Sequence, residues 1–205
     1  MTGQELKDFT TELLGGREMG DTFFYQQANL AKDNREGMRP WMKLRKESSG
    51  TSFAASDSYL NMKTLPTDFL VTYGNSPLKL VSGATVEEFT EIPLEQRRVK
   101  QSVSGLFYID HGNEQFAITG NISQAMTGYL YYVKRSADID ASTGWIFPEA
   151  YHPILAADIC IAQKGSVDYD ELNERMVKYH GLSISDIWNA MVKWDDRLQR
   201  AALNV

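Results

Sequence analysis

The stretch from Tyr129 to Lys164 constrains this chain most, because the periodicity of the apolar residues changes within it. It opens with a predicted aromatic strand, Tyr129–Val133, whose two faces are both apolar; such a strand is covered on both sides or contacts another molecule. A polar loop, residues 136–144, then leads to the most apolar helical run of the chain, around residues 153–164. From about residue 41 to this stretch the pattern is mostly that of short strands, and beyond it the pattern is helical. The sequence therefore predicts that two kinds of structure join here.

Helical periodicity predicts five helices, two before the strand-rich part and three after it. The first covers residues 3–14 and begins at Thr2 and Glu5, which have the spacing of a capping box. The second covers about residues 21–35, with Asp21 as its expected cap. The last three cover about residues 153–164, 169–179 and 185–202. Short helices bury little apolar area by themselves, so these helices need partners within the chain or in a neighbouring subunit.

Short apolar runs alternate with turn residues in the middle of the chain, a pattern typical of an antiparallel meander or small sandwich. The polar residues 47–58 predict a loop. Thr85 and Glu88 have capping-box spacing and predict a helical turn. Strands are predicted at residues 69–73, 78–81, 106–109, 115–119 and 128–135.

The predicted fold is α+β: a helical bundle of two N-terminal and three C-terminal helices with an inserted antiparallel β-module. Residues 1–40 and 148–205 would form the bundle, and residues 41–147 would form the module. Trp145 and Phe147 come where the module rejoins the bundle. We therefore expect these two large rings to hold the modules together.

Composition narrows the possible classes of protein. The chain has 205 residues, of which 42% are apolar, enough for a packed core. A net charge of −6 argues against a dedicated nucleic-acid binder, which usually carries a basic stripe. The one cysteine, Cys160, allows no disulfide within the chain, so we expect a reducing compartment. We find neither a signal-peptide pattern nor an apolar run of about 18–20 residues, so we expect a soluble protein without a membrane partner.

No arrangement of residues predicts catalysis, a cofactor or a metal. Cys160 follows His152 by eight residues, which is about 12 Å along a helix and too far for a nucleophile and its base. Asp138 and Asp140 begin like a calcium loop, but the further ligands are missing. The histidines lie in different elements without metal-ligand spacing: His111, His152 and His180.

The aromatic residues have two interpretations. They could line a carbohydrate or ligand surface, but such clusters more often form a core or a subunit interface. Trp188 and Trp194 are six residues apart, which places them about 120° apart around the last helix. We hypothesise that one is in the core and the other contacts a partner. The candidate interface or module-junction residues are Trp145, Phe147, Tyr131, Trp188, Met191, Trp194 and Leu198.

Three phrases of sequence occur in order along the chain. The first phrase comprises Leu13-Leu14-Gly15, Ala28-Asn29, Arg39 and Trp41. The second phrase is Leu65-Pro66-Thr67-Asp68-Phe69-Leu70, and the third runs from Tyr131-Tyr132-Val133-Lys134-Arg135 to Trp145-Ile146-Phe147-Pro148-Glu149-Ala150-Tyr151-His152. Together they resemble the tailed-bacteriophage head-to-tail connector proteins, also called adaptor or head completion proteins. Two departures are an inverted Asn-Ala pair at residues 28–29 and Ser136 in place of proline.

This resemblance implies a structural protein rather than an enzyme, with no cofactor. It implies a homo-oligomeric ring, commonly a dodecamer, that docks under the portal protein at the head–tail junction of the virion. The ring would connect the capsid to the next tail or stopper component and surround the DNA exit channel. DNA would pass through without sequence-specific binding, and an acidic ring would let it slide. The protein would be made in the host cytoplasm. The alternative is a carbohydrate- or ligand-binding β-module of a tail-associated protein.

Overall fold

The computed structural model describes residues 1–163 and 168–203. By its internal contacts the chain divides into a helical unit, residues 1–43 and 136–205, and a sheet unit, residues 44–135. The sheet unit carries nine Lys or Arg residues and nine Asp or Glu residues, so the net charge of −6 belongs entirely to the helical unit.

The helical unit contains five α-helices in its described part, so the five predicted helices are confirmed. Their bounds are α1 Gly3–Leu13, α2 Asp21–Gly37, α3 Pro153–Ala162, α4 Tyr169–His180 and α5 Ile184–Leu203. Thr2 and Glu5 form the predicted capping box. The prediction that Asp21 caps α2 was wrong, because Gly20 occupies the cap position and Asp21 is the first helical residue. The predicted end of the third helix at Lys164 lies outside the described residues.

Helix α3 lies at the centre of the helical unit. It is apolar on almost all sides, and seven of its ten residues are buried. The other four helices, α1, α2, α4 and α5, all pack against it. Pro153 is tolerated because it occupies the first turn, where the missing N–H would have no helical partner.

The sheet unit contains one nine-stranded mixed sheet, which curls into a half-barrel. Its strands are β1 Arg45–Glu47, β2 Thr51–Phe53, β3 Lys63–Thr64, β4 Phe69–Thr72, β5 Leu78–Ser82, β6 Thr85–Ile92, β7 Leu106–Asp110, β8 Gln115–Ile118 and β9 Met126–Lys134. The strand order is β1-β9-β5-β6-β7-β8-β3, with β2 and β4 also paired to β9. The long strand β9 is therefore the strand on which the sheet is built.

This sheet corrects the predicted fold, which was a helical bundle with a small inserted antiparallel module. The chain is α+β, but a nine-stranded sheet is its major layer and that sheet is mixed. Strands β6 and β7 are parallel, because the connection of residues 93–105 crosses back with a short 3₁₀ helix, Leu94–Gln96. A parallel pair needs a crossover of about a dozen residues rather than a hairpin.

Two predictions made from local sequence patterns explain why the number of strands in the sheet was predicted too low. The helical turn predicted at residues 85–89 is part of β6, which forms a hairpin with β5 and pairs Glu88 with Lys79. The polar loop predicted at residues 47–58 contains β2, an edge strand that needs little apolar surface. In both places pairing with a neighbouring strand outweighs the local signal.

The core of the sheet unit is one cluster of buried apolar side chains. Gly128 in β9 is required there, because a Cβ at this position would lie 2.5 Å from the ring of Phe53 and 2.8 Å from Leu80. The buried cluster comprises Phe53, Leu65, Leu78, Leu80, Phe89, Phe107, Ile109, Phe116, Ile118, Ile122, Met126 and Leu130.

Candidate interface surfaces

The inner side of α2 carries, beside apolar residues, three polar side chains that bind the segment of residues 136–147. Asn29, Lys32 and Glu36 recur at the i, i+3 and i+7 positions that share one face of a helix. The Asn29 side chain accepts from the N–H of Ile139 at 2.7 Å and donates to its carbonyl oxygen at 3.1 Å. A side-chain amide thus pairs with the main chain of a segment 110 residues away.

Lys32 and Glu36 are both fully buried and complete this contact. The Lys32 Nζ donates to the carbonyl oxygens of Ser136 and Ala137 and to Asp138. The Glu36 carboxylate accepts from the N–H of Ser136 at 3.0 Å, from the Ser136 hydroxyl and from the Trp145 Nε1 at 2.8 Å. The buried charges are therefore bonded, as burial of charge requires. We call Asn29, Lys32 and Glu36 the α2 clamp.

Four of the seven candidate residues meet in one aromatic cluster within the helical unit. The Trp188 ring meets the Trp41 ring at 5.6 Å, and Trp41 meets Phe147 at 5.2 Å. Phe147 in turn meets Trp194 at 5.9 Å and Trp145 at 4.6 Å. The edge-to-face geometry of the Trp41 and Trp194 contacts is a favoured one for aromatic rings.

The remaining candidates lie elsewhere. Met191 is fully buried in α5 and Leu198 is half-buried on the same helix. Tyr131 belongs to the sheet unit, where its ring lies 6.3 Å from that of Tyr73. Burial, assisted by a hydrogen bond to Glu47, raises the pKa of Tyr131.

The rings of Trp145 and Phe147 are unavailable to a ligand. They are 4% and 3% exposed, and the indole N–H of Trp145 is occupied by Glu36. A sugar stacks on an exposed ring face, which neither residue offers. The hypothesis that Trp188 and Trp194 have separate roles stays a prediction, although both rings contact the aromatic cluster.

Sequence reasoning missed the ion pairs that fasten α2 to α3 and α5. Arg35 forms two hydrogen bonds with Asp158, and Arg39 pairs with Asp195 and Asp196. Asp195 is fully buried and also accepts from the N–H of Met42 at 2.7 Å. The only available signal was the density of polar residues on α2, because a sequence does not show which of them are buried.

The two groups that sequence reasoning considered for nucleophilic chemistry are both buried. Burial raises the pKa of the Cys160 thiol to about 12 and lowers the pKa of His152. The His152 Nε2–H donates to the carbonyl oxygen of Phe147 at 2.8 Å, which fixes the ring. Asp140 receives hydrogen bonds from Ser142 and Thr143, which lower its pKa. Among the described residues, no group of three or more acidic, histidine or cysteine side chains could hold a metal ion.

The outer face of α2 carries an uncharged stripe. We call it the outer stripe: Phe23, Gln27, Leu30, Asn34 and Met38, spaced at i, i+4, i+7, i+11 and i+15. The three apolar members, Phe23, Leu30 and Met38, are 46%, 56% and 57% exposed. The stripe borders a shallow groove of about 190 Å³ between α2 and α3. Exposed apolar side chains aligned in this way indicate a contact surface.

Exposed apolar side chains also occur on α4 and in the turn after it, although Val177 and Tyr179 point to nearly opposite sides of the helix. These side chains are those of Tyr169, Val177, Tyr179 and Leu182, which are 43–51% exposed. On the same helix Leu172 and Met176 are buried. The outer stripe on α2 is therefore the aligned apolar surface of the helical unit, and both α2 and α4 pack against α3.

Comparisons with known proteins assign no family to the chain. No protein-family model matches it, and no curated protein has a similar sequence. In residues 1–163 and 168–203, no helix combines the length and the apolar character needed to cross a membrane.

Proposed function

We propose that this protein is a structural adaptor of a tailed bacteriophage, a ring-forming subunit of the head-to-tail connector. In this proposal the ring is homo-oligomeric, docks under the portal protein in the virion, joins the capsid to the next tail component and surrounds the DNA exit channel. The proposal rests on the three phrases of sequence that resemble connector proteins.

Contacts within the helical unit support the proposal in addition to the sequence resemblance. Residues of the first and third phrases, which are far apart in sequence, contact one another in the helical unit. Asn29 binds the segment that leads into the third phrase, and Trp41 packs against Phe147. Arg39 pairs with α5. Residues that occur together in a family because they maintain one fold should contact one another. The observed contacts therefore support reading the first and third phrases as one combined resemblance.

The outer stripe of the helical unit suits an interface between subunits of a ring. Subunits in a ring meet head to tail, so each needs two different complementary surfaces rather than one self-complementary patch. The outer stripe on α2 is one such surface, and the exposed apolar side chains of α4 are candidates for the other. The outer stripe itself contains no charged residue, and the ion pair of Arg35 and Asp158 beside it is already paired, which limits the cost of desolvation when a neighbour packs there.

The charge distribution also supports the proposal. The net charge of −6 belongs to the helical unit, whereas the sheet unit is neutral. A ring of acidic units would repel the DNA phosphates and bind DNA weakly. This is the property needed by a channel through which a genome passes.

Ring assembly on the portal tests the proposal. We expect the purified protein, mixed with the portal protein of the same phage, to add a ring of density beneath the portal in electron micrographs. The double variant Leu30→Glu/Met38→Glu should remain folded and lose this ring, because it places charges in the outer stripe. Val99→Glu is the matched control, since Val99 is 81% exposed on the sheet unit. A wild-type chain that stays monomeric and leaves the portal unbound would contradict the proposal.

A further inference from the structure

The half-barrel of the sheet unit ends in two edges that lie close together. Phe53 of β2 contacts the ring of Phe116 in β8 at 6.2 Å, and the Nζ of Lys63 in β3 lies 5.0 Å from the Phe53 ring. Yet in the described part of the chain β1 and β2 pair only with β9, and β3 pairs only with β8. The sheet thus approaches closure without forming the last row of main-chain hydrogen bonds.

The direction of the main chain can be read at both edges. The N–H of Leu65 donates to the carbonyl oxygen of Glu114 at 2.9 Å, toward β8. Because successive residues of a strand point their N–H groups in opposite directions, the N–H and C=O of Thr64 point away from β8. The N–H of Ser48 likewise donates to Leu130 at 2.9 Å, so the N–H of Glu47 points away from β9. Each edge therefore directs main-chain groups outward.

A cleft of about 530 Å³ separates the two edges. One wall is the β1–β2 segment and the other is the segment from β3 to β4, and Phe116 and Leu130 also line the cleft. Five hydroxyl side chains face it: Ser48, Ser49, Thr51, Thr64 and Thr67. An unpaired edge is a template for another strand, and main-chain hydrogen bonds give such an added strand its affinity.

At one end of the cleft the polar groups are already paired with each other. The Tyr132 hydroxyl donates to Asp68 at 2.7 Å, and Lys46 also pairs with Asp68 at 2.7 Å. The local charges are thus satisfied without a ligand. The groups that a ligand could bind are the outward main-chain N–H and C=O groups of the two edges. Such groups favour a peptide over a small charged molecule.

We propose that this edge cleft, between β1–β2 and β3, binds an extended peptide segment of a partner protein by adding it to the sheet as a further strand. The partner segment is rich in β-branched residues, as strands are, and it has no net charge, because the sheet unit is neutral and the charged groups at the cleft are paired. The inference does not depend on ring assembly, since it concerns the sheet unit alone.

Peptide selection with the full-length chain tests this inference. The probe is a library of ten-residue linear peptides, and the selected peptides are synthesised and their Kd values measured by fluorescence anisotropy. We expect selected peptides that are uncharged and rich in β-branched residues. Thr64→Pro removes the outward N–H of β3, and proline is tolerated at an edge strand. We expect this variant to raise the Kd for the peptide roughly tenfold, because it loses a main-chain hydrogen bond and because the proline ring occupies space at the edge.

Thr64→Val is the matched control, because it removes the hydroxyl but keeps the N–H, and it should change Kd less than about threefold. Hydrogen exchange of the wild-type chain gives a second measurement that needs no variant. Binding should slow exchange of the Thr64 and Glu47 amides. Equal affinity of Thr64→Pro and wild type, protection that maps elsewhere, or a library that gives no binder would each overturn the inference. Thr64→Pro should still assemble into rings on the portal. A loss of peptide binding with intact ring assembly therefore tests this inference without testing the proposed function.

Discussion

Removing the Glu36 carboxylate should be the most damaging single change in the α2 clamp. The carboxylate is fully buried and accepts three hydrogen bonds, two from Ser136 and one from Trp145. In Glu36→Ala the main-chain N–H of Ser136 and the indole N–H of Trp145 lose their acceptor in a buried place. The Ser136 hydroxyl can rotate, so we count only the first two as orphaned donors.

The expected cost follows from these contacts. Each buried donor left without a partner costs about 1–3 kcal/mol, so two cost about 2–6 kcal/mol. Removing the carboxylate also ends the cost of burying a charge, which offsets part of that loss. We therefore expect Glu36→Ala to lower the free energy of unfolding by about 3 kcal/mol. Glu36→Gln keeps the size and one acceptor oxygen, and it should cost about 1–2 kcal/mol.

Urea unfolding followed by tryptophan fluorescence measures these differences. An exposed carboxylate on α4 gives the control, and Glu174→Ala should change stability by less than about 0.5 kcal/mol. A double-mutant cycle with Ser136→Ala isolates the contact, and the coupling should be about 1 kcal/mol. If Glu36→Ala costs no more than Glu174→Ala, the clamp does not hold the segment of residues 136–147 and the reasoning fails.

Two further predictions concern buried titratable groups. Burial lowers the pKa of His152, so the folded state keeps the ring neutral while the unfolded chain takes up a proton near pH 6.5. Stability should therefore be fully present above about pH 6.5 and decrease as the pH falls from there toward the folded-state pKa, and His152→Gln should flatten this part of the profile in urea unfolding. Burial raises the pKa of Cys160 to about 12, so the thiol should resist a disulfide reagent at pH 8 and react fully in urea. Rapid labelling of the native chain would show that α3 is not the buried centre of the helical unit.

The helices were predictable because their signals are local. The capping box of Thr2 and Glu5 and the apolar run of α3 each lie within one element, and the structure has both. The sheet was not predictable in the same way. Its pairing of β6 with β7 depends on residues far apart in sequence, and at residues 85–88 a helix-capping pattern stands inside a strand. There the cross-strand partners decide the structure.

The candidate interface residues also show that local sequence does not reveal which distant residues a side chain contacts. Sequence reasoning chose Trp145 and Phe147 as residues that hold the two modules together, and this stays a prediction; the aromatic rings that they contact belong to the helical unit. Sequence reasoning did not choose Lys32 or Glu36, which are charged and would ordinarily face water. Their partners include main-chain atoms 100–105 residues away, and nothing in the local sequence marks those atoms.

The two faces of helix α2 have different roles in the proposed function: the inner face stabilises the fold and the outer stripe contacts a neighbouring subunit. Experiments can separate these two roles. The inner face, through Glu36, maintains the fold, so its loss should lower stability and reduce ring assembly only as a consequence. The outer stripe, through Leu30 and Met38, is 56–57% exposed, so Leu30→Glu/Met38→Glu should leave the unfolding midpoint nearly unchanged and abolish the ring. If the outer-stripe variant unfolds as readily as Glu36→Ala, the stripe belongs to the fold rather than to an interface. If it is stable and still assembles, subunits meet through another surface and the heterologous contact proposed for α2 is wrong.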